Sequence, residues 1–235
     1  MYIITLQRVL LRLDEIQHFD YNVKPGTKFN YSDIGIAVLG CLCENATGEY
    51  LNTLAHKYIF DPLNITASFV TSELDAKSRN NFAYIYGENG GLTLSKALSI
   101  TPKPLGKSLK LAPGNINISA RDYAKIVSIF LNKGRGPDGT RILSEASVKA
   151  ILTQRMKDDG GVTCGYGNQL ERNLIKGKTV HMHTGSAYGM FATYMICPED
   201  NAGVVVLTSG CVRNKDKSCH DYCVCRDLIR ALYPC

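Results

Sequence analysis

Apolar residues recur along this chain with one period over its first two-thirds and with another after that. In residues 2–13, Ile3, Leu6, Leu10 and Leu13 recur at helical spacing with Arg8 and Arg12 between them, which predicts an amphipathic helix. A second helical pattern runs from Ser32 to about residue 46. There Ile34, Val38, Cys41 and Leu42 form one stripe, and Gly48 follows the end of the pattern, as a helix-terminating glycine does. A third predicted helix covers about 49–60 and stops before Pro62. Residues 71–114 are rich in glycine and proline and read as a long loop that shapes a rim. Ser119, with Asp122 three residues on, opens a helix to about 132, and Ser144 caps another to about 154. After Gly160 the pattern shortens to strands at 178–184, 190–197 and 202–208, followed by a helix at 218–232. Helices first, then strands, then a helix is the order of an α+β or segregated α/β layer fold. The expected organisation is a single partial domain over 1–235, mainly helical with long loops to 160, then strands and a final helix over 161–235.

At 235 residues and 45% hydrophobic composition the chain can bury a core. The net charge of +6 is scattered, and its densest run, Arg213 to Lys217, is short and holds Asp216. No basic groove interleaved with aromatics is encoded, so nucleic acid is not an expected partner. No apolar run reaches the length of a membrane span. Nine cysteines, an odd number, fit no disulfide ladder. Sequons stand at Asn30, Asn45, Asn64 and Asn117, and the first lies beside Tyr31. Together these favour a reducing, cytoplasmic setting. Cys219, His220, Cys223 and Cys225, with Cys211 and Cys235 near them, invite a zinc reading if Cys219 and Cys223 share a helix face. His181 and His183 would alternate onto one side of a strand. Paired Cys-x-x-Cys spacing is absent, so free thiols are the expectation and neither metal nor cofactor is implied.

Two stretches carry candidate chemistry. One is Pro25-Gly26-Thr27-Lys28-Phe29-Asn30-Tyr31-Ser32-Asp33-Ile34-Gly35, and the other is His183-Thr184-Gly185-Ser186. With Leu39-Gly40, Glu44, Thr47-Gly48, Ser119-Ala120-Arg121-Asp122-Tyr123, Arg141-Ile142-Leu143-Ser144 and Gly165-Tyr166-Gly167 in the same order, they resemble the serine β-lactamase and penicillin-binding-protein superfamily, in its class C and esterase-like branch. The resemblance covers roughly residues 24–232. It implies a β-lactamase/transpeptidase-like fold, a helical lobe beside an antiparallel sheet with flanking helices, and acyl transfer through an acyl-serine.

By that resemblance Tyr31 is the proton-transfer residue, while Asp33, His183, Thr184, Gly185 and Ser186 bind substrate, with the Ser186 N–H as half of an oxyanion hole. Asp33 stands where relatives often have asparagine, and His183 where β-lactamases usually have lysine or arginine. Loss of that fixed cation points to an ester, an amide or a D-amino-acid peptide rather than a β-lactam.

The superfamily's Ser-x-x-Lys nucleophile motif is absent: no lysine here has a serine three residues before it. Thr93-Leu94-Ser95-Lys96 follows Tyr31 instead of preceding it, and Gly185-Ser186-Ala187-Tyr188-Gly189 puts Ala187 where a nucleophile elbow needs serine. The superfamily's N-terminal strands and nucleophile helix are expected to fall before residue 1. A chain without them is expected to be silent as an acyl-serine enzyme and to expose a sheet edge open to a protein partner. A truncated hydrolase, a non-catalytic binding module of the same fold and a zinc-stabilised binding protein are the three readings.

Overall fold

The computed structural model describes residues 22–24, 26–87, 91–157 and 162–233. The helix expected at 2–13 lies outside these. Helix α1, Asp33–Thr47, begins where Ser32 Oγ accepts the Gly35 N–H at 2.9 Å and ends at Gly48, whose φ of 73° takes the left-handed turn. Its buried line is Ala37, Gly40, Cys41 and Glu44, so the face lies one residue round from the expected stripe, of which only Cys41 is buried. Small residues let the chain come close: a Cβ on Gly40 would lie 2.9 Å from Ala112 Cβ. Glu44 is buried because its carboxylate is fully used. Oε1 accepts the Leu51 N–H at 2.9 Å and Oε2 accepts the Gly106 N–H at 2.7 Å. The first of these caps helix α2, Leu51–Ala55, which runs on into one π-helical turn, His56–Phe60.

Strands β1, Ala67–Ser68, and β2, Asn117–Ile118, pair antiparallel and close the long loop between them. That loop is less irregular than expected. It holds a 3-10 turn at Thr71–Glu73 and two short helices, α3 at Ala76–Asn80 and α4 at Leu94–Leu98. Helices α5, Ala120–Leu131, and α6, Glu145–Leu152, start at Ser119 and Ser144, whose hydroxyls accept the N–H of Asp122 and Ser147.

The main sheet is antiparallel, in the order β3-β4-β5-β6-β7-β8. Its strands are β3 Met156–Lys157, β4 Thr163–Cys164, β5 Gln169–Glu171, β6 Val180–Ala187, β7 Met190–Cys197 and β8 Ala202–Ser209. The three long strands match the expected ones, with β6 running three residues further. The strands β3 to β5 are two or three residues each, too short to leave an alternating pattern. β8 is the last strand of the sheet, with no further strand beside it among the described residues.

The two faces of the sheet differ. Val180, Met182, Phe191 and Met195 face helix α7, Cys223–Leu232, and pack with its Cys225 and Ile229 into the larger core cluster. Burying side chains of this size contributes about 1.5–3 kcal/mol each. On the other face α5 crosses β8 where Gly203 leaves room: a Cβ there would meet Leu131 and Val127 at 3.3 and 3.4 Å.

Helix α7 starts five residues later than expected. A small hairpin of β9, Lys215–Asp216, and β10, Asp221–Tyr222, takes the preceding residues. Asp216 Oδ1 accepts the Ser218 N–H and hydroxyl, and His220 sits at φ 53°, so the backbone turns there instead of coiling. Cys219 therefore precedes the helix and shares no helix face with Cys223, which removes the geometric premise of the zinc reading. Among the described residues no three of His, Cys, Asp and Glu are arranged to hold a metal ion, and the eight described cysteines are free thiols.

Candidate active site

The site gathers where the start of α1 meets β6. Tyr31 immediately precedes the Ser32 cap, so its side chain leaves the chain at the mouth of α1, 61% exposed. Its ring centroid lies 6.0 Å from that of His183, at an interplanar angle of 36°. Asp33, in the first turn of α1, reaches both. Partial burial, then the charge of Asp33 and a hydrogen bond to its carboxylate, raise the Tyr31 pKa above the ordinary phenol value. Tyr31 is thus a neutral phenol at pH 7 whose O–H is hydrogen-bonded to Asp33.

His183 and His181 lie on the α5 face of β6, as their spacing predicts. Burial pushes the His183 pKa below the ordinary imidazole value, against the opposing pull of a hydrogen bond to the Thr184 backbone and of Asp33. Burial lowers His181 as well, and its Nδ1 stands 3.0 Å from Asn168 Oδ1. Across the β6–β7 register His183 faces Tyr194, whose hydroxyl donates to the Gly167 carbonyl at 2.9 Å and whose ring meets Tyr123 of α5 edge-on at 6.0 Å. Burial drives Tyr194 far above the ordinary phenol range and Tyr123 up to about 12. The wall behind His183 is therefore built of neutral phenols.

The backbone of β6 supplies the other half of the site. Antiparallel partners alternate between pairs that exchange both hydrogen bonds and pairs that exchange none. The two-residue turn Tyr188-Gly189, with φ of 57° and 92°, closes on the bonded pair Ala187 and Met190. Ser186 and Thr184 then fall on unbonded pairs, and their backbone polar groups point away from β7. The Phe191 carbonyl opposite Ser186 obeys the same alternation, accepting the Thr208 hydroxyl from β8 at 3.2 Å. On the far side β5 pairs only with Val180, His181 and Met182. Among the described residues, Ser186 thus presents an N–H and a C=O with no strand opposite. Gly185 beside it is not demanded by packing: a Cβ would meet nothing closer than Ala192 Cβ at 3.8 Å, an ordinary contact.

Tyr31, Asp33 and His183 are thus brought together, and Thr184, Gly185 and Ser186 lie in line on the strand that carries His183. Thr93 serves elsewhere, capping α4 by accepting the Lys96 N–H at 3.2 Å. Sequence reasoning missed Tyr194. The two-residue loop at 188–189 would have found it, since that loop length fixes which residue of β7 faces His183. It also missed the dual use of Glu44, for which nothing local in the sequence is a signal.

Comparison with known proteins follows this geometry. The model of the β-lactamase family matches residues 11–222. Penicillin-binding protein 4 of Amycolatopsis lactamdurans is 26% identical over 193 residues, covering 79% of this chain and 48% of that protein. An unguisins hydrolase of Aspergillus campestris is 24% identical over 194 residues, covering 81% of this chain and 35% of that protein. This chain therefore spans half or less of the length of these curated relatives. Among solved structures, a D-alanine carboxypeptidase from Burkholderia cenocepacia superposes with a TM-score of 0.65 at 16% identity, covering 88% of this chain and 62% of that one.

Proposed function

Because this chain belongs to the β-lactamase family, we propose that it carries the acyl-recognition side of a serine-hydrolase site for a neutral ester, amide or D-amino-acid peptide. One observation carries the reading: a Ser186 N–H that faces no strand among the described residues, on the strand whose His183 stands 6.0 Å, ring to ring, from Tyr31. A substrate carbonyl placed against that N–H gains a donor that strengthens as the oxygen becomes an oxyanion, an effect of about 100- to 1000-fold in rate per donor. The Ser186 carbonyl can accept an amide N–H from the same substrate, which orients an extended peptide along β6. Tyr31 is held as a neutral phenol whose O–H is bonded to Asp33, so its oxygen is left to accept an N–H or O–H of the substrate. Neutral His183 offers no fixed charge to a carboxylate, and Asp33 repels one, so an uncharged scissile group fits best. Relatives named as a penicillin-binding protein, a hydrolase and a D-alanine carboxypeptidase are in keeping with this range.

A second reading, a non-catalytic binding module of the same fold, draws on the same pKa directions. An acyl-serine step needs a nucleophile and a base, and this sequence has no Ser-x-x-Lys. No cation is among the groups that act on Tyr31. Both readings require binding, and they part at turnover. Amide-detected NMR of the chain titrated with N-acetyl-D-alanine amide tests the shared step. A saturable shift of the Ser186 amide, with shifts at Tyr31 and His183, is the expected result. Saturable shifts elsewhere with Ser186 unmoved refute the site.

A further inference from the structure

At the far end of β6 stand three tyrosines that the chemistry above does not use. Tyr84 and Tyr86 come from the long loop between β1 and β2, and Tyr188 from the β6–β7 turn. They are 44%, 62% and 57% exposed, and the Tyr84 and Tyr86 ring centroids lie 4.4 Å apart. Single exposed tyrosines are ordinary, but a group of them held in place is not. The loop is fastened to the sheet end through its backbone. Ser209 Oγ accepts the Tyr86 N–H at 2.9 Å and donates to the Tyr84 carbonyl at 3.3 Å.

Two glycines make the contact this close. A Cβ on Gly189 would fall 2.0 Å from the Tyr86 carbonyl oxygen, and one on Gly87 2.5 Å from that of Tyr188. The backbone that carries Tyr86 and Tyr188 is thus closely packed, and the Tyr84 and Tyr86 rings stand against each other, an arrangement that lowers the entropy cost of aromatic contact. Tyr188 follows Ser186 by two residues, as the first residue of the turn that ends β6. Tyr86 and Tyr188 carry no cation–π partner among the described residues.

We infer that Tyr84, Tyr86 and Tyr188 form a subsite for a neutral aromatic ring borne by the substrate next to its scissile carbonyl. The inference rests on the acyl-recognition reading of Ser186. A ring offset on these tyrosines gains what aromatic pairs gain beyond area burial, about tenfold in affinity for the group as a whole.

The test compares N-acetyl-D-phenylalanine amide with N-acetyl-D-alanine amide, titrated against the full chain by NMR. The phenylalanine amide is expected to bind about tenfold more tightly. Tyr86→Ala with Tyr188→Ala should abolish that ratio while leaving the alanine amide's Kd unchanged. Tyr86→Phe with Tyr188→Phe, which keeps the rings, should retain it, and circular dichroism confirms that each variant is folded. Equal affinities, or a ratio that survives the alanine pair, overturn the aromatic subsite while the Ser186 shift still stands. Failure of both probes to bind the unaltered chain overturns the subsite and the acyl-recognition reading together.

Discussion

Replacing Gly185 by alanine separates a glycine kept for the fold from one kept for a ligand. A Cβ at 185 would lie 3.8 Å from Ala192 Cβ and 4.0 Å from the Ala192 carbonyl oxygen, both ordinary contacts, with no left-handed φ to strain. Glycine inside a strand costs about 0.5–1 kcal/mol relative to alanine. Gly185→Ala should therefore raise stability by up to about 1 kcal/mol, or roughly 2–4 °C in Tm for a chain of this size. The same Cβ stands on the His183 face of β6 beside the Ser186 N–H, so it should weaken N-acetyl-D-alanine amide about tenfold or more.

Gly189→Ala is the control. Its Cβ would sit 2.0 Å from the Tyr86 carbonyl oxygen, at a φ of 92°. That variant should lose at least about 1–3 kcal/mol of stability. Thermal melts of the two variants, with the Ser186 amide titration for the first, make the comparison. A Gly185→Ala protein that melts as early as Gly189→Ala, or that binds the probe with unchanged Kd, refutes the argument.

Other consequences follow from single groups. Glu44→Gln puts an amide NH2 against either the Leu51 or the Gly106 N–H, and denaturant unfolding should show a loss of about 2–4 kcal/mol. Because burial holds the pKa values of His181 and His183 below the unfolded imidazole value, the unfolded chain binds more protons in that window. Stability should be full above about pH 6.5 and fall as pH drops from there towards the folded values. Tm measured from pH 7.5 to 5 should show that slope, and the double variant His181→Gln, His183→Asn should flatten it. Asp33→Asn removes the charge that raises Tyr31, so the Tyr31 ring titration followed by 13C NMR should move down towards the ordinary phenol value, and an unchanged midpoint would count against Asp33.

The places of helices α1, α5 and α6, the serine caps of the last two and the long β-branched strands were legible because each is a local signal. Ser119 and Ser144 cap where expected, α1 starts within a residue of the expected Ser32, and β7 and β8 begin where expected. The face of α1 was misread because its buried line is set by small residues and a doubly bonded carboxylate. Ala37, Gly40 and Glu44 become a core face only when Ala112, Leu51 and Gly106 arrive from elsewhere in the chain. The shortened α7 has the same cause at closer range: Asp216 and Ser218 tie off a hairpin that hydrophobic spacing does not encode. At the site, Tyr31, Asp33 and His183 were legible through motif order. What order cannot supply is the pKa direction. Partial burial of Tyr31, then the Asp33 carboxylate beside it, raise its pKa and keep the phenol neutral, where the sequence alone left base and relay open.

The most direct test of the central claim, a recognition site without its own nucleophile, is intact-mass analysis of the folded chain after incubation with a fluorophosphonate probe. No covalent adduct is expected while the Ser186 amide still answers N-acetyl-D-alanine amide. A single adduct that maps to one serine or threonine of this chain would contradict it.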